Sequence, residues 1–173
     1  SIGSIYEDTI TVQSFSKTYA MCGWRIGYVA AKENLIKELA KVNLFTNICA
    51  PSVCQKAVLG ALKNNKARQF TKSVVKKFEK RRNIFVRELN KIDGLKCKLP
   101  EGGLYAWPNV SGLNKSSSEV AKLLIERGRV TTVPGSVFGR SGEGYLRISI
   151  GAPTKTLKEA ARRIGEVFRD LYV

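Results

Sequence analysis

Histidine is absent from the 173 residues, and acids are scarce, with 14 Asp and Glu against 30 Lys and Arg. Without an imidazole the usual serine and cysteine hydrolase arrangements cannot be assembled. The four cysteines, Cys22, Cys49, Cys54 and Cys97, form no CxxC pair, so a zinc site is not expected either. No apolar run is long enough to span a bilayer, and no cationic and apolar leader reads as a signal peptide. Scattered cysteines in such a chain suit a reducing cytoplasm, where they are expected to pack as small apolar groups. The formal charge of +16 raises a polyanion as a partner. The basic residues are spread along helices without an RNA- or DNA-binding motif, so the expectation is a basic surface, with neither nucleic acid nor membrane as partner. A basic, non-catalytic polyanion-binding module stays as the alternative from a different class.

What is present is globular. An apolar content of 43% with 25% charged residues suits a chain with a normal core. Residues 9–14 (TITVQS) alternate and are β-branched, which predicts a strand, and 25–30 (RIGYVA) predicts a second. Leu35, Ile36, Leu39 and Val42 recur at helical spacing over 33–44. Pro51 suits the first turn of a helix to about residue 62. The strongest helical stripe is Phe70, Val74, Phe78, Phe85 and Leu89, ended by the Asp93-Gly94 turn signal. Strands are predicted at 95–99, 104–107 and 130–133, and Ser117 or Ser118 is expected to cap a helix stopped by Gly128. In 145–150, Leu146, Ile148 and Ile150 alternate with Arg147 and Ser149. A final helix puts Leu157, Ala161, Ile164, Phe168 and Leu171 on one face. Mixed helices and strands predict an α/β or α+β architecture, with a compositional break near 47–51.

The chemistry concentrates in residues 14–28, SFSKTYAMCGWRIGY. Ser14 and Ser16 flank the end of a predicted strand, Lys17 follows, and Arg25 stands between glycines. Hydroxyls and a guanidinium suit a phosphate dianion, and a lysine beside them can condense with an aldehyde when its amine is neutral. On residue types alone, a single lysine among thirty basic residues normally reads as just a solvated charge.

This stretch resembles the cofactor-attachment signature of the class I and II aminotransferases, enzymes of pyridoxal-phosphate (PLP) fold type I related to aspartate aminotransferase. Three further stretches are similar to the same family in the same order: 100–105 (PEGGLY), 133–139 (VPGSVFG) and 145–151 (YLRISIG). The resemblance implies that Lys17 is the Schiff-base lysine, that Ser14, Ser16 and Arg25 hold the cofactor's phosphate, and that Arg147 grips the substrate's α-carboxylate. Cys22 falls where many relatives carry a small hydroxyl residue and receives no role. Trp24, Tyr28, Tyr105 and Trp107 read as packing residues. Gly135 and Gly139 read as loop glycines that permit movement.

The fold so implied is the carboxy-terminal part of fold type I. Residues 1–48 would end the large PLP-binding domain, and 49–173 would form the small domain. The implied activity moves an amino group between an amino acid and a 2-oxo acid, with an aspartate-type donor, in an enzyme that is a homodimer at full length. A PLP-dependent lyase or synthase of the same fold is the alternative. Relatives are roughly twice as long, and Ser1-Ile2-Gly3 reads as the interior of something longer. The chain alone is therefore expected to be inactive or nearly so.

Overall fold

The computed structural model describes residues 2–172. It divides into two compact units, one up to Val74 and one from Val75. The expected domains were parted near residue 48, and their outermost residues, Ser1 and Val173, lie outside the described residues.

In the first unit β1 (Thr11–Ser14) pairs antiparallel with β2 (Gly27–Ala30), in the register Thr11↔Ala30 to Ser14↔Gly27. The second strand is shorter than predicted because Arg25 adopts a left-handed conformation (φ 49°, ψ 50°) that ends the extended run. Between the strands lie the short helix α1 (Phe15–Thr18) and a 3₁₀ turn at Cys22–Trp24. Two longer helices follow, α2 (Glu33–Thr46) and α3 (Ser52–Lys63). Cys54 and Val58 of α3 pack with Phe15 and Ile26, which ties α3 to the first unit. The periodicity of α2 appears as a helix, yet none of its residues is buried and Val42 is 61% exposed.

The long helix α4 (Asn65–Leu89) carries the boundary between the units. Its stripe sinks progressively: Phe70 is 47% exposed, Phe78 packs partly, and Phe85 and Leu89 are fully buried. In the second unit, β3 (Tyr105–Ala106), β5 (Leu146–Ser149) and β4 (Val133–Pro134) form a three-stranded antiparallel sheet with β5 in the middle. Helices α5 (Ser117–Glu126) and α6 (Thr154–Tyr172) complete it. Leu146 and Ile148 point into a core shared with Phe85, Leu124, Ile164 and Phe168, so the predicted alternation of β5 and the stripe of α6 both appear as read.

Three local expectations are corrected. Residues 95–99 form no strand beyond a single bridge between Lys96 and Asn109. The Asn90 side chain takes up the Cys97 backbone instead, accepting from its N–H at 2.7 Å and donating to its carbonyl at 2.9 Å. The strand expected at 130–133 shrinks to Val133–Pro134, since the Val130 N–H donates to the Leu124 carbonyl at 3.0 Å. Ser116, not Ser117 or Ser118, caps α5. It shares a capping box with Glu119, each satisfying an orphan backbone donor of the other. At the far end α5 stops with Arg127 as its C-cap, ahead of Gly128 as expected, and Arg129 takes the left-handed conformation at φ 54°.

Cys54 and Cys97 are buried as expected, and burial pushes the Cys97 thiol up. Cys22 and Cys49 are exposed, so the expectation of packed cysteines holds for only two of the four. Among the described residues no helix is long and apolar enough to cross a membrane.

Gly135 lies so close to the Gly142 and Tyr145 carbonyls that a Cβ would collide with both. Gly135→Ala is expected to lower stability by about 1–3 kcal/mol, as overpacking does, read by urea denaturation. On α6, hydrogen bonds from Arg162 and then Arg163 hold the Glu159 carboxyl down to about 2. A depressed carboxyl stabilises above its unfolded value of about 4.3, and that contribution is lost as pH falls towards the folded value. Thermal melting temperature should therefore fall more steeply between about pH 4.5 and 2.5 in the parent protein than in Glu159→Gln.

Candidate functional site

The antiparallel register of β1 and β2 ends at the pair Ser14↔Gly27. Residues 14–17 and 22–26 consequently leave the same end of the ladder side by side. The ladder closes there only because residue 27 is glycine: a Cβ would meet the Gln13 carbonyl oxygen at 2.5 Å. Ser14 keeps extended angles (φ −127°, ψ 144°) and caps α1, its hydroxyl accepting the Ser16 N–H at 3.1 Å. That hydroxyl also donates to Ser16 Oγ at 2.9 Å. The buried ring of Phe15 anchors the turn beneath, and the Phe15 N–H donates to the Ile26 carbonyl at 3.3 Å.

Lys17 is exposed, and its Nζ donates to Cys22 Sγ at 3.7 Å. The Cys22 thiol donates in turn to the Ser16 carbonyl at 3.0 Å. Cys22, without a role in the sequence reading, is thus the side-chain neighbour of the lysine amine. Its separation from Lys17 by a turn of unpredictable shape hid that contact. Arg25 sits in the left-handed region, and its Nη1 donates to the Cys22 carbonyl at 3.0 Å. The other guanidinium N–H groups make no hydrogen bond among the described residues. The local turns therefore bring Ser14, Ser16, Lys17 and Arg25 onto one short stretch of the first unit. Two hydroxyls and a guanidinium suit a phosphate group, and a primary amine beside them suits an aldehyde. The donor set fits PLP.

Arg147 belongs to the second unit. It is half-buried on β5, opposite Val133 of β4, on the face away from the core. Tyr105 pairs with Ser149 on the neighbouring strand, which sets its ring against Arg147. The guanidinium carbon lies 4.5 Å from the Tyr105 ring centre and 4.7 Å from that of Phe138. Two aromatic rings thus lie against the cation, while its side chain makes no hydrogen bond or ion pair among the described residues. Trp107 braces Phe138 edge-on, with ring centres 5.5 Å apart, and stacks on Tyr145 at 6.0 Å. Tyr105 and Trp107 thus pack as read, Tyr105 on a cation. Lys17 and Arg147 lie in different units, each with a local geometry of its own.

The chain's likeness to known proteins agrees with this chemistry. Residues 4–164 match the family model described as aminotransferase class I and II, whose members use PLP. An aspartate aminotransferase of Pyrococcus horikoshii is 40% identical over 158 residues, a match covering 91% of this chain and 40% of that protein. An aromatic-amino-acid aminotransferase of Thermococcus litoralis is 35% identical over 170 residues, covering 98% of this chain and 43% of its own length. Among solved structures, an aromatic aminotransferase from Pyrococcus horikoshii superposes with a TM-score of 0.91 at 36% identity, over 94% of this chain and 43% of that one. The chain thus spans about 40% of the length of these curated relatives, and its mixed helix-and-sheet fold is that of the type I PLP enzymes. Taken with the lysine, the hydroxyls and the ring-clasped arginine, the match establishes that this chain belongs to the class I and II aminotransferases.

Proposed function

We propose that this chain carries the lysine, part of the phosphate site and the substrate-carboxylate arginine of an aminotransferase working on an amino acid and a 2-oxo acid. The observation that supports it most is the grouping of Lys17 with the Ser14 and Ser16 hydroxyls where β1 meets α1, inside the family match. An aspartate-type donor, a homodimer at full length and a cytoplasmic setting belong to the same proposal. Named aspartate aminotransferases among the relatives support the first, and four free cysteines, two of them exposed, support the last. In domain terms, residues 1–48 would end the large PLP-binding domain and 49–173 would form the small domain.

Each residue then has a task. Ser14, Ser16 and Arg25 hold the phosphate by hydrogen bonds and charge. Lys17 supplies the amine that attaches the cofactor. Once free, that amine would take the proton from the substrate's α-carbon and deliver it to the cofactor's C4′ carbon, as a general base and then acid. PLP, when bound, supplies the aldehyde and the electron sink. Arg147 offers two parallel N–H groups to the α-carboxylate and so holds the α-hydrogen in one orientation. A lysine there would keep the charge and lose the fork.

Three measurements follow. Purified chain treated with PLP and then borohydride should carry its label on the peptide containing Lys17, with Lys17→Ala losing it. Labels scattered over many lysines, the same in both proteins, would remove the cofactor assignment. In an active assembly containing this chain, Arg147→Lys should lower kcat/KM for the amino acid about 10–100-fold, since a charged hydrogen bond costs about 1.5–3 kcal/mol. Unchanged kcat/KM would take the carboxylate role away from Arg147. By itself the chain is expected to show no turnover in a coupled oxo-acid assay.

A further inference from the structure

The aromatic clasp around Arg147 raises the question of what holds Phe138 in place. Phe138 is 50% exposed and ends a four-residue 3₁₀ turn, Gly135–Phe138. Burial of its own ring therefore does little to fix it. The turn is moored at its other end. The Gly135 N–H donates to the Tyr145 carbonyl at 2.8 Å, and the Ser136 N–H donates to Ser117 Oγ at 3.4 Å, with the two hydroxyl oxygens 3.2 Å apart. Ser117 is completely buried, and Glu143 orients it. Glu143 Oε1 accepts the Ser117 N–H at 2.6 Å, and Oε2 accepts its hydroxyl at 3.0 Å. The Gly144 N–H donates to Oε1 at 3.1 Å. Glu143 Oε2 and Ser136 Oγ are both within reach of the Ser117 hydroxyl, so the carboxylate and the turn meet at one side chain.

We propose that Glu143 is a positioning residue for the carboxylate grip. Through Ser117 and Ser136 it anchors the turn that sets Phe138 against Arg147 alongside Tyr105. A guanidinium set against two rings and without a hydrogen-bond partner among the described residues keeps its N–H fork free for a bidentate ligand. Clasping also removes rotamer freedom before a ligand arrives, so less entropy is lost on binding. Glu143 touches no substrate in this scheme and acts only through Phe138. The inference rests on Arg147 being the carboxylate group, and it adds the parts that aim it. The Ser117 N–H first, and then the Gly144 N–H, hold the Glu143 carboxyl below the usual carboxylate range.

The test is proton and nitrogen NMR of the whole chain, with the Arg147 side-chain signals assigned by their loss in Arg147→Lys. In the parent, ring currents from Tyr105 and Phe138 should shift the Arg147 δ-protons upfield, and added succinate should move the Nε–H signal. Glu143→Ala should lose much of the upfield shift and bind succinate about three- to tenfold more weakly, the range expected when a cation–π contact is lost. Phe138→Leu should do the same, and Phe138→Tyr should restore both. Because Phe138 is half exposed, this pair keeps the test alive if Glu143→Ala fails to fold. Parent-like ring shift and succinate affinity in a folded Glu143→Ala would overturn the proposal and leave the carboxylate role of Arg147 standing. If succinate moves no Arg147 signal even in the parent, the carboxylate role itself fails, and the proposal falls with it.

Discussion

Side chains along a strand alternate between its two faces, and in β5 that alternation decides the layout of the second unit. Leu146 and Ile148 are buried among Phe85, Leu124, Ile164 and Phe168, so Arg147 between them is forced onto the opposite face. A register slip of one residue would bury the guanidinium and expose two apolar side chains, which couples the orientation of the arginine to the stability of the core. The short neighbours β3 and β4 then bring Tyr105 and the 135–138 turn to either side of it. The core and the site are two faces of one strand.

The first unit uses a different device. There the strand ladder is closed at its end by a glycine whose missing Cβ lets the backbones approach. The chain is thereby returned from Ser14–Lys17 through a turn to Cys22–Arg25. Ser14 illustrates how few atoms are involved, since the hydroxyl that caps α1 is also the one proposed for phosphate. The contact between Lys17 and Cys22 sets a thiol against the amine at 3.7 Å, where the resemblance implied a hydroxyl in many relatives. A thiol is a weaker hydrogen-bonding group than a hydroxyl, so the amine is held more loosely by this neighbour than a serine or threonine would hold it.

The two units differ sharply in how they bury their apolar residues. The second has a continuous core from α4 to α6. Among its described residues the first buries only Phe15, Ile26, Cys54 and Val58 of its apolar side chains, and leaves Leu39, Val42 and Phe45 of α2 at 39%, 61% and 88% exposure. An amphipathic stripe this open gains little from the hydrophobic effect in the chain as described. The charge of +16 adds self-repulsion that compactness must overcome.

Much of this was legible in the order of the residues. The period of two in 145–150, the stripes of the helices and the run of hydroxyls, lysine and arginine in 14–25 are local patterns, and local patterns need only pleat, pitch and residue chemistry to be read. Where expectation and structure part, a distant group intervened. Asn90 satisfied the Cys97 backbone and removed a strand, Glu143 drew Ser117 into the interior so that Ser116 capped α5, and Leu124 took the Val130 N–H. The aromatic clasp was equally out of reach, because Tyr105 and Phe138 lie 42 and 9 residues from Arg147 and meet it only across paired strands. The sequence by itself determined which family the attachment stretch resembles and which stripes seek a core. Tertiary structure alone decided which partners satisfy each backbone group and which rings meet which cation, because those choices depend on long-range approach and leave no periodic trace along the chain.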